Sequence, residues 1–376
     1  MHFELLHTDP SSAARRGRLN TPHGPVETPV FMPVGTLGTV KSIPQRALRS
    51  DIDAQIILAN TYHLYLRPGT DVLESAGGLH PFMNWDRAVL TDSGGYQVFS
   101  LSDKRSISED GVRFRSHLDG SEHLFTPESV VDTQRLIGAD IIMVLDECPP
   151  GDVSASYARE SNELTIRWAE RSLVRFNETR SRYGHEQALF GIVQGVVYED
   201  VRSESARRLV DLDFPGYAIG GLSVGEPIDL MYEMVDVVAP LLPSEKPRYL
   251  MGVGTPANLL ENIARGIDMF DCVMPTRNAR NGRLYTTDGF LNVRNEKWKE
   301  DYSPIDAGLD SYASSSYSKA YLRHLFQTNE MLGPQLATLQ NLSLYSWLMN
   351  EARSRIVAGT FDGWWQATAE RLSQRL

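Results

Sequence analysis

The chain holds only two cysteines, Cys148 and Cys272, among 376 residues. Both sit where a short apolar run ends, which argues against a disulfide framework and fits a reducing compartment. No apolar run approaches the roughly 20 residues a membrane span needs. The N-terminal stretch MHFELLHTDPSSAARRG lacks the apolar core of a signal peptide, so a soluble cytoplasmic protein with no membrane partner is expected. Positive charge is scarce as well: the formal net charge is −11, which argues against nucleic-acid binding through bulk charge. No low-complexity tail is present, and no internal repeat except one recurring unit.

That unit occurs eight times. Short apolar runs at 30–34, 56–59, 88–90, 141–145, 188–193, 217–219, 249–251 and 269–270 each stop at a polar, glycine-rich or acidic cluster. Segments long enough for helices separate most of them, which predicts strand, loop and helix repeated until a parallel barrel closes. A hydrophobic content of 41% suits one large domain with an appendage. Residues 154–176 read as a helix, with Leu164, Trp168, Leu173 and Phe176 at helical spacing, and 203–210 and 257–265 as shorter ones. Beyond Asp271 the pattern changes. Residues 283–293 read as a hairpin around the TTDG turn signal, 301–318 show little periodicity, and 320–326, 336–348 and 356–372 read as helices. The expected fold is therefore an α/β barrel over 1–282, completed by a C-terminal hairpin and helical subdomain over 283–376.

In such a barrel the run ends share one rim, and the rim carries the residues that look like chemistry. Two carboxylates stand out, Asp92 in LTDSGGYQ and Asp271 in FDCVMPTRNARNG. Asp146, Glu147, Gln194, the pair Gly220 and Gly221, and the stretch Gly252-Val253-Gly254 lie at other run ends. Two opposed carboxylates suit chemistry at an anomeric carbon, one attacking C1′ while the other moves protons. Tyr96 and Met251 could face a flat heterocycle or simply be core. An aspartate at a strand end could be a helix cap, and the glycine pairs could be tight turns or a phosphate cradle. From 273 to 299 the segment carries a net charge of +4 in an acidic chain, directly after Asp271. That placement favours a role in binding over a solvated face.

The segments LTDSGGYQVFSL, DECPP, GIVQGVVYEDVR, AIGGLSVGE, RYLMGVGTP and FDCVMPTRNARNG resemble, in order and across nearly the whole chain, the tRNA-guanine transglycosylases. These base-exchange enzymes of queuosine biosynthesis have an irregular TIM barrel with a zinc-binding C-terminal subdomain. The resemblance implies that Asp271 is the nucleophile toward C1′ of the wobble guanosine, and that Asp92 is the general acid/base and also contacts the incoming base. It implies that Asp146 reads the amide and amino edge of the base, that Gln194 and the backbone of Gly221 read its carbonyl, and that Tyr96 and Met251 stack on it. Ser93, Gly94, Gly95 and Leu222 belong to the same base-binding segments. Gly252, Val253, Gly254, Thr255, Pro256, Ala257 and Asn258 match a segment that contacts tRNA. Thr276, Arg277, Asn278, Ala279 and Arg280 match another, beside the wobble nucleotide. Cys148 and Val224 resemble the bacterial form, which takes 7-aminomethyl-7-deazaguanine, where the eukaryotic form has a roomier pocket for queuine. A homodimer and tRNAs with a GUN anticodon are implied as partners.

The resemblance breaks at the metal. The family's three cysteines in Cys-x-Cys-x-x-Cys are here Leu309, Ser311 and Ser314, and Gln340 stands where the fourth ligand, a histidine, belongs. Leucine cannot bind zinc, and serine and glutamine are poor replacements; the nearby His324 alone cannot rebuild a tetrahedral site. The expectation is a protein without cofactor or structural zinc, with residues 301–340 held by apolar packing and side-chain hydrogen bonds. Two competing readings remain open: a non-catalytic tRNA-binding partner subunit, and a glycosidase or nucleosidase of small molecules.

Overall fold

Eight parallel strands stand at the centre of the computed structural model, which describes residues 1–101 and 105–376. They are β1 (Val30–Pro33), β2 (Ile56–Ala59), β3 (Ala88–Thr91), β4 (Ile141–Met143), β5 (Ala188–Val193), β6 (Tyr217–Ile219), β7 (Arg248–Leu250) and β8 (Met269–Cys272). Their hydrogen-bonded order is β1-β8-β7-β6-β5-β4-β3-β2, and a parallel bridge from Val34 to Leu58 joins the two ends. Sequential strands are thus neighbours all the way round, as in a TIM barrel. Each run is apolar throughout because both faces of the sheet are covered, one by the barrel interior and one by helices. The strands β2 to β6 are buried at every position.

Helices α1 (Ala155–Glu178), α2 (Glu199–Asp211), α3 (Pro256–Ala264) and α4 (Met274–Arg280) follow strands β4, β5, β7 and β8. Two of these starts have a local cause in a capping side chain. Ser154 caps α1 by accepting from the Tyr157 N–H, and α3 begins with proline inside a capping box formed by Thr255 and Asn258. Toward the C-terminus come α5 (Lys319–Gln327), α6 (Leu332–Ala358) and α7 (Phe361–Leu372). Here the expected division fails: residues 349–355 do not interrupt a helix, and α6 runs unbroken past them. Met, Asn, Glu, Ala and Arg at these positions carry no helix breaker, and the chain turns only at Gly359, whose left-handed φ of 65° ends α6. Leu342, Leu344, Tyr345 and Leu348 of α6 belong to the barrel core, so the C-terminal helix packs directly on β1 and α4.

Two antiparallel sheets have no counterpart in the sequence pattern. One, from His2–Thr8, Arg15–Thr21 and Gly24–Thr28, crosses the barrel floor. Its middle strand reads RRGRLNT and buries Arg15 and Gly17, which hides the usual apolar alternation. The other, from Arg105–Ser108, Gly111–Arg115 and Glu122–Phe125, is inserted between β3 and β4 and packs Phe114 and Phe125 beside Tyr62, Leu145 and Trp168.

The floor is held by fully paired carboxylates placed just before strands. Asp268, ahead of β8, accepts from Arg15 Nε at 2.9 Å and from the Arg248 N–H at 2.7 Å. Asp140, ahead of β4, contacts His23 Nδ1 at 2.7 Å and His80 Nε2 at 3.2 Å and accepts from the Val89 N–H at 2.8 Å. The two imidazoles stack at 3.7 Å. His80 Nε2 also donates to the Arg87 carbonyl, so this cluster carries protons rather than lone pairs aimed at a metal. Hydrogen bonds from the two histidines hold the Asp140 carboxyl well below the usual carboxylate range against its burial, and Asp140 in turn raises His23. Replacing Asp268 with asparagine leaves the buried Arg15 guanidinium without its counter-charge. Urea unfolding of Asp268→Asn is expected to show a loss of about 3 kcal/mol.

Candidate active site

At the opposite end of the barrel, the strand C-termini surround a cavity of about 430 Å³. Asp92 follows β3, Asp146 follows β4, Gln194 follows β5, Gly220 and Gly221 follow β6, Met251 follows β7, and Asp271 lies within β8. All of these line the cavity, together with Ser93, Tyr96, Cys148, Leu222 and Val224. The structure therefore brings the expected catalytic and base-binding side chains into one space. Gly94 and Gly95 lie behind the lining: a side chain at Gly95 would meet the Asp146 carbonyl at 2.7 Å, so glycine lets the β3 loop pack against the β4 end.

Unlike the floor carboxylates, those at the mouth are held by neutral donors, and none pairs with a cation among the described residues. Asp92 accepts from the Asn60 side-chain amide and from the Thr61 N–H at 2.8 Å. Burial pushes its carboxyl up to about 6, with the charge of Asp271 adding to the rise and the Asn60, Thr61 and Gln97 hydrogen bonds opposing it. Such a group both takes and gives a proton near neutrality. Asp271 Oδ1 accepts from Tyr249 Oη at 2.6 Å and from the Gly252 N–H at 2.8 Å. Its other oxygen, Oδ2, accepts from no described residue. Burial raises Asp271 too, while those two hydrogen bonds pull it back down. The phenol of Tyr249, driven well above its ordinary range by burial and the adjacent carboxylate, stays a donor.

Asp146 accepts from Ser93 Oγ at 2.9 Å and from Gln194 Nε2 at 2.7 Å. As a carboxylate it offers only acceptor lone pairs to the cavity it lines. One N–H of Gln194 is used on Asp146. The N–H of Gly221 and the Gln194 amide lie beside the Cys148 sulfur. Burial pushes the Cys148 thiol up to about 12, so it is a neutral wall and not an anion. Gly221 has a φ of 62°, and a side chain there would meet Gln194 Oε1 at 2.2 Å. Tyr96 is 53% exposed, an open aromatic face over the cavity mouth, and Met251 is half-buried. This suits a planar ligand entering between them.

The two segments expected to meet RNA divide into inward and outward positions. Gly252 is exposed, whereas Val253, Gly254, Pro256 and Asn258 are buried, and Thr255 and Ala257 are intermediate. Thr255 and Asn258 cap α3, Asn258 also donates to Tyr232 Oη at 2.8 Å, and Tyr345 donates to the Gly254 carbonyl at 2.8 Å. Arg277 is exposed and reaches the cavity lining, and Arg280 is half-buried with Nη1 unpartnered. Thr276 and Ala279 are buried, and Asn278 donates to Tyr285 Oη at 2.8 Å. Asn60, Thr61 and Tyr249 were not legible as site residues. Asn60 and Thr61 follow an apolar run with no acidic or glycine signal, and Tyr249 lies inside one.

The four positions matching the family's zinc ligands do not fit a metal. Leu309 is buried in the core, and Ser311 Oγ donates to Ser314 Oγ at 3.0 Å. Ser314 Oγ then donates to Gln340 Oε1 at 2.5 Å, and Gln340 Nε2 donates to the Tyr285 carbonyl at 3.0 Å. These oxygens bond to one another, with no thiolate or imidazole among them. His324 is exposed.

These opposing effects on Asp92 can be separated by titration. With ¹³C-labelled aspartate, one carboxyl is expected to titrate near pH 6 in the free protein. Asn60→Ala removes a lowering hydrogen bond and moves that titration up, whereas Asp271→Asn removes a raising charge and moves it down.

Comparison with known proteins agrees with this geometry. The model of the queuine tRNA-ribosyltransferase family matches residues 9–374. A queuine tRNA-ribosyltransferase of Thermoanaerobacter pseudethanolicus is 57% identical over 354 residues, 94% of this chain and 93% of that protein. Those of Symbiobacterium thermophilum and Bacillus pumilus are 54% and 53% identical, covering 99% and 95% of this chain and 91% and 92% of theirs. A match of this extent leaves no part of the barrel outside the likeness, and the chain belongs to the queuine tRNA-ribosyltransferase family.

Proposed function

We infer that this protein is a tRNA-guanine transglycosylase of queuosine biosynthesis, a pentosyltransferase that exchanges guanine in tRNA through a covalent enzyme–ribose intermediate. The observation that carries the mechanism is the unequal holding of Asp271: Oδ1 is fixed by two donors while Oδ2 is free toward the cavity. Extruded from the anticodon, the guanine lies between Tyr96 and Met251, with Asp146 accepting from its amide and amino N–H groups and Gln194 and Gly221 donating to its carbonyl. Asp271 Oδ2 attacks C1′, the C1′–N bond breaks, and its electron pair leaves with the base. Asp92, poised near neutrality, supplies a proton to the departing base and removes one from the incoming base as that base attacks C1′ and releases Asp271.

Cys148 and Val224 form a close wall that suits a small substituent, so 7-aminomethyl-7-deazaguanine is the incoming base in this reading rather than queuine. The RNA is a tRNA with a GUN anticodon, bound through Arg277, Arg280 and the basic run that follows Asp271, within the cytoplasm. The protein acts as a homodimer; exposed rings of Tyr312 and Tyr321, with Tyr317 within 5.8 Å of each, give the C-terminal subdomain a face suited to a second copy. The Ser311–Ser314–Gln340 chain and Leu309 take the place of a structural zinc.

Three outcomes test this reading. Asp271→Asn is expected to abolish incorporation of radiolabelled guanine into unmodified tRNA, and undiminished incorporation would rule out the nucleophile. In the wild type, kcat/KM for the incoming base should fall as pH drops through about 6, because protonated Asp92 cannot accept that base's proton. Elemental analysis should find far less than one zinc per chain, with an unfolding temperature unmoved by EDTA; stoichiometric zinc would contradict the metal-free subdomain.

A further inference from the structure

Arg202, in the first turns of α2, is fully buried and pairs with no carboxylate among the described residues. Its guanidinium instead donates to four backbone carbonyls: Nε to Val196 at 2.7 Å, Nη1 to Val193 at 3.4 Å and Gly220 at 2.9 Å, and Nη2 to Gly221 at 3.0 Å. Burial of a charge without a counter-ion is costly, and desolvation lowers this arginine to about 10, still charged at neutral pH. The approach is built into the backbone. Gly195, with a φ of 135°, is the residue whose side chain would meet the Arg202 N–H group's nitrogen at 2.8 Å, so only glycine lets α2 come this close.

The carbonyls it grips belong to particular peptide units. The Gly220 carbonyl shares its peptide with the N–H of Gly221, and the Gly221 carbonyl shares its peptide with the N–H of Leu222. Gly221 and Leu222 both line the cavity, and the Gly221 N–H points to the Cys148 sulfur on its wall. A cation donating to a carbonyl draws electrons through the peptide and makes the N–H on its far side a stronger donor.

We propose that Arg202 is a positioning residue that fixes and polarises the Gly220–Gly221 and Gly221–Leu222 peptides from behind, so that the pocket stabilises negative charge on the carbonyl oxygen of the departing base. When C1′ passes to Asp271 Oδ2, the electron pair of the C1′–N bond enters the purine, and part of that charge rests on its exocyclic oxygen until a proton arrives. Donors preorganised where charge develops act far more strongly in a dry cavity than in water. Arg202 has no contact with the base; it acts through the peptide groups. This inference rests on the assignment of Gly221 as the carbonyl reader.

The test uses the full-length protein with Arg202→Met and Arg202→Lys, each checked for folding by urea unfolding. Arg202→Met should lower kcat for guanine exchange about 100-fold while KM for tRNA stays within about threefold. The ionisation of enzyme-bound guanine, followed by its ultraviolet spectrum against pH, should rise by about one pH unit, a shift that loss of packing alone would not produce. Arg202→Lys keeps the charge but cannot span four carbonyls, and should show a kcat loss of about tenfold with KM unchanged. A folded Arg202→Met with wild-type kcat, or with bound guanine ionising as in the wild type, overturns the proposal. Should that variant not fold, wild-type kcat in Arg202→Lys overturns it. Absence of guanine exchange in the wild type would instead refute the underlying site assignment, whatever the variants do.

Discussion

Three carboxylates at the mouth of a barrel, Asp92 and Asp146 buried and Asp271 half-buried, with only neutral donors to hold them, are the constraint on which the rest of the structure depends. A buried carboxylate paired with arginine, as Asp268 is with Arg15, serves the fold. Asp92, Asp146 and Asp271 have no such partner. Desolvation raises all three, and amide, hydroxyl and phenol donors pull each part of the way back. That balance keeps Asp92 able to exchange protons near neutrality while Asp271 keeps one oxygen free. The same chain thus uses aspartate for two purposes, separated by which end of a strand it occupies.

The separation follows from barrel geometry. Residues just before a strand point into the floor, where the N-terminal sheet delivers Arg15 and His23; residues just after one point into the mouth. Arginine is not absent from the mouth: Arg277 reaches the cavity lining, while Arg202 lies behind the wall. Arg202 spends its donors on carbonyls and pairs with no carboxylate among the described residues. Glycine makes this arrangement possible at two points: at Gly195, where α2 closes on the β5 loop, and at Gly221, where the turn after β6 passes against Gln194.

Much of this was legible in the chain itself. The eight strands could be read because apolar residues without alternation mark strands covered on both faces, and the charged or glycine-rich cluster after each run marked where it left the core. Asp92, Asp146, Gln194 and Asp271 stood out for that reason. What supports them did not. Tyr249 looks like one more apolar strand residue, Asn60 and Thr61 like an ordinary turn, and Arg202 like a solvated helix position in EDVRSESARR. Their roles depend on distances across the barrel, which a local pattern does not carry. The floor sheet was hidden because its buried positions include arginine and glycine. The break in the C-terminal helices was misplaced because a drop in apolar residues on one face of α6 resembles an ending, although its backbone continues to Gly359.

The account turns on Asp271 Oδ2 being the atom that bonds to ribose. The most direct measurement is to quench the protein with unmodified tRNA in the absence of an incoming base, digest the adduct, and locate the ribose-bearing peptide by mass spectrometry. The account requires a single attachment on Asp271. Attachment on Asp92 or Asp146, or no covalent adduct while guanine is still released, would contradict it.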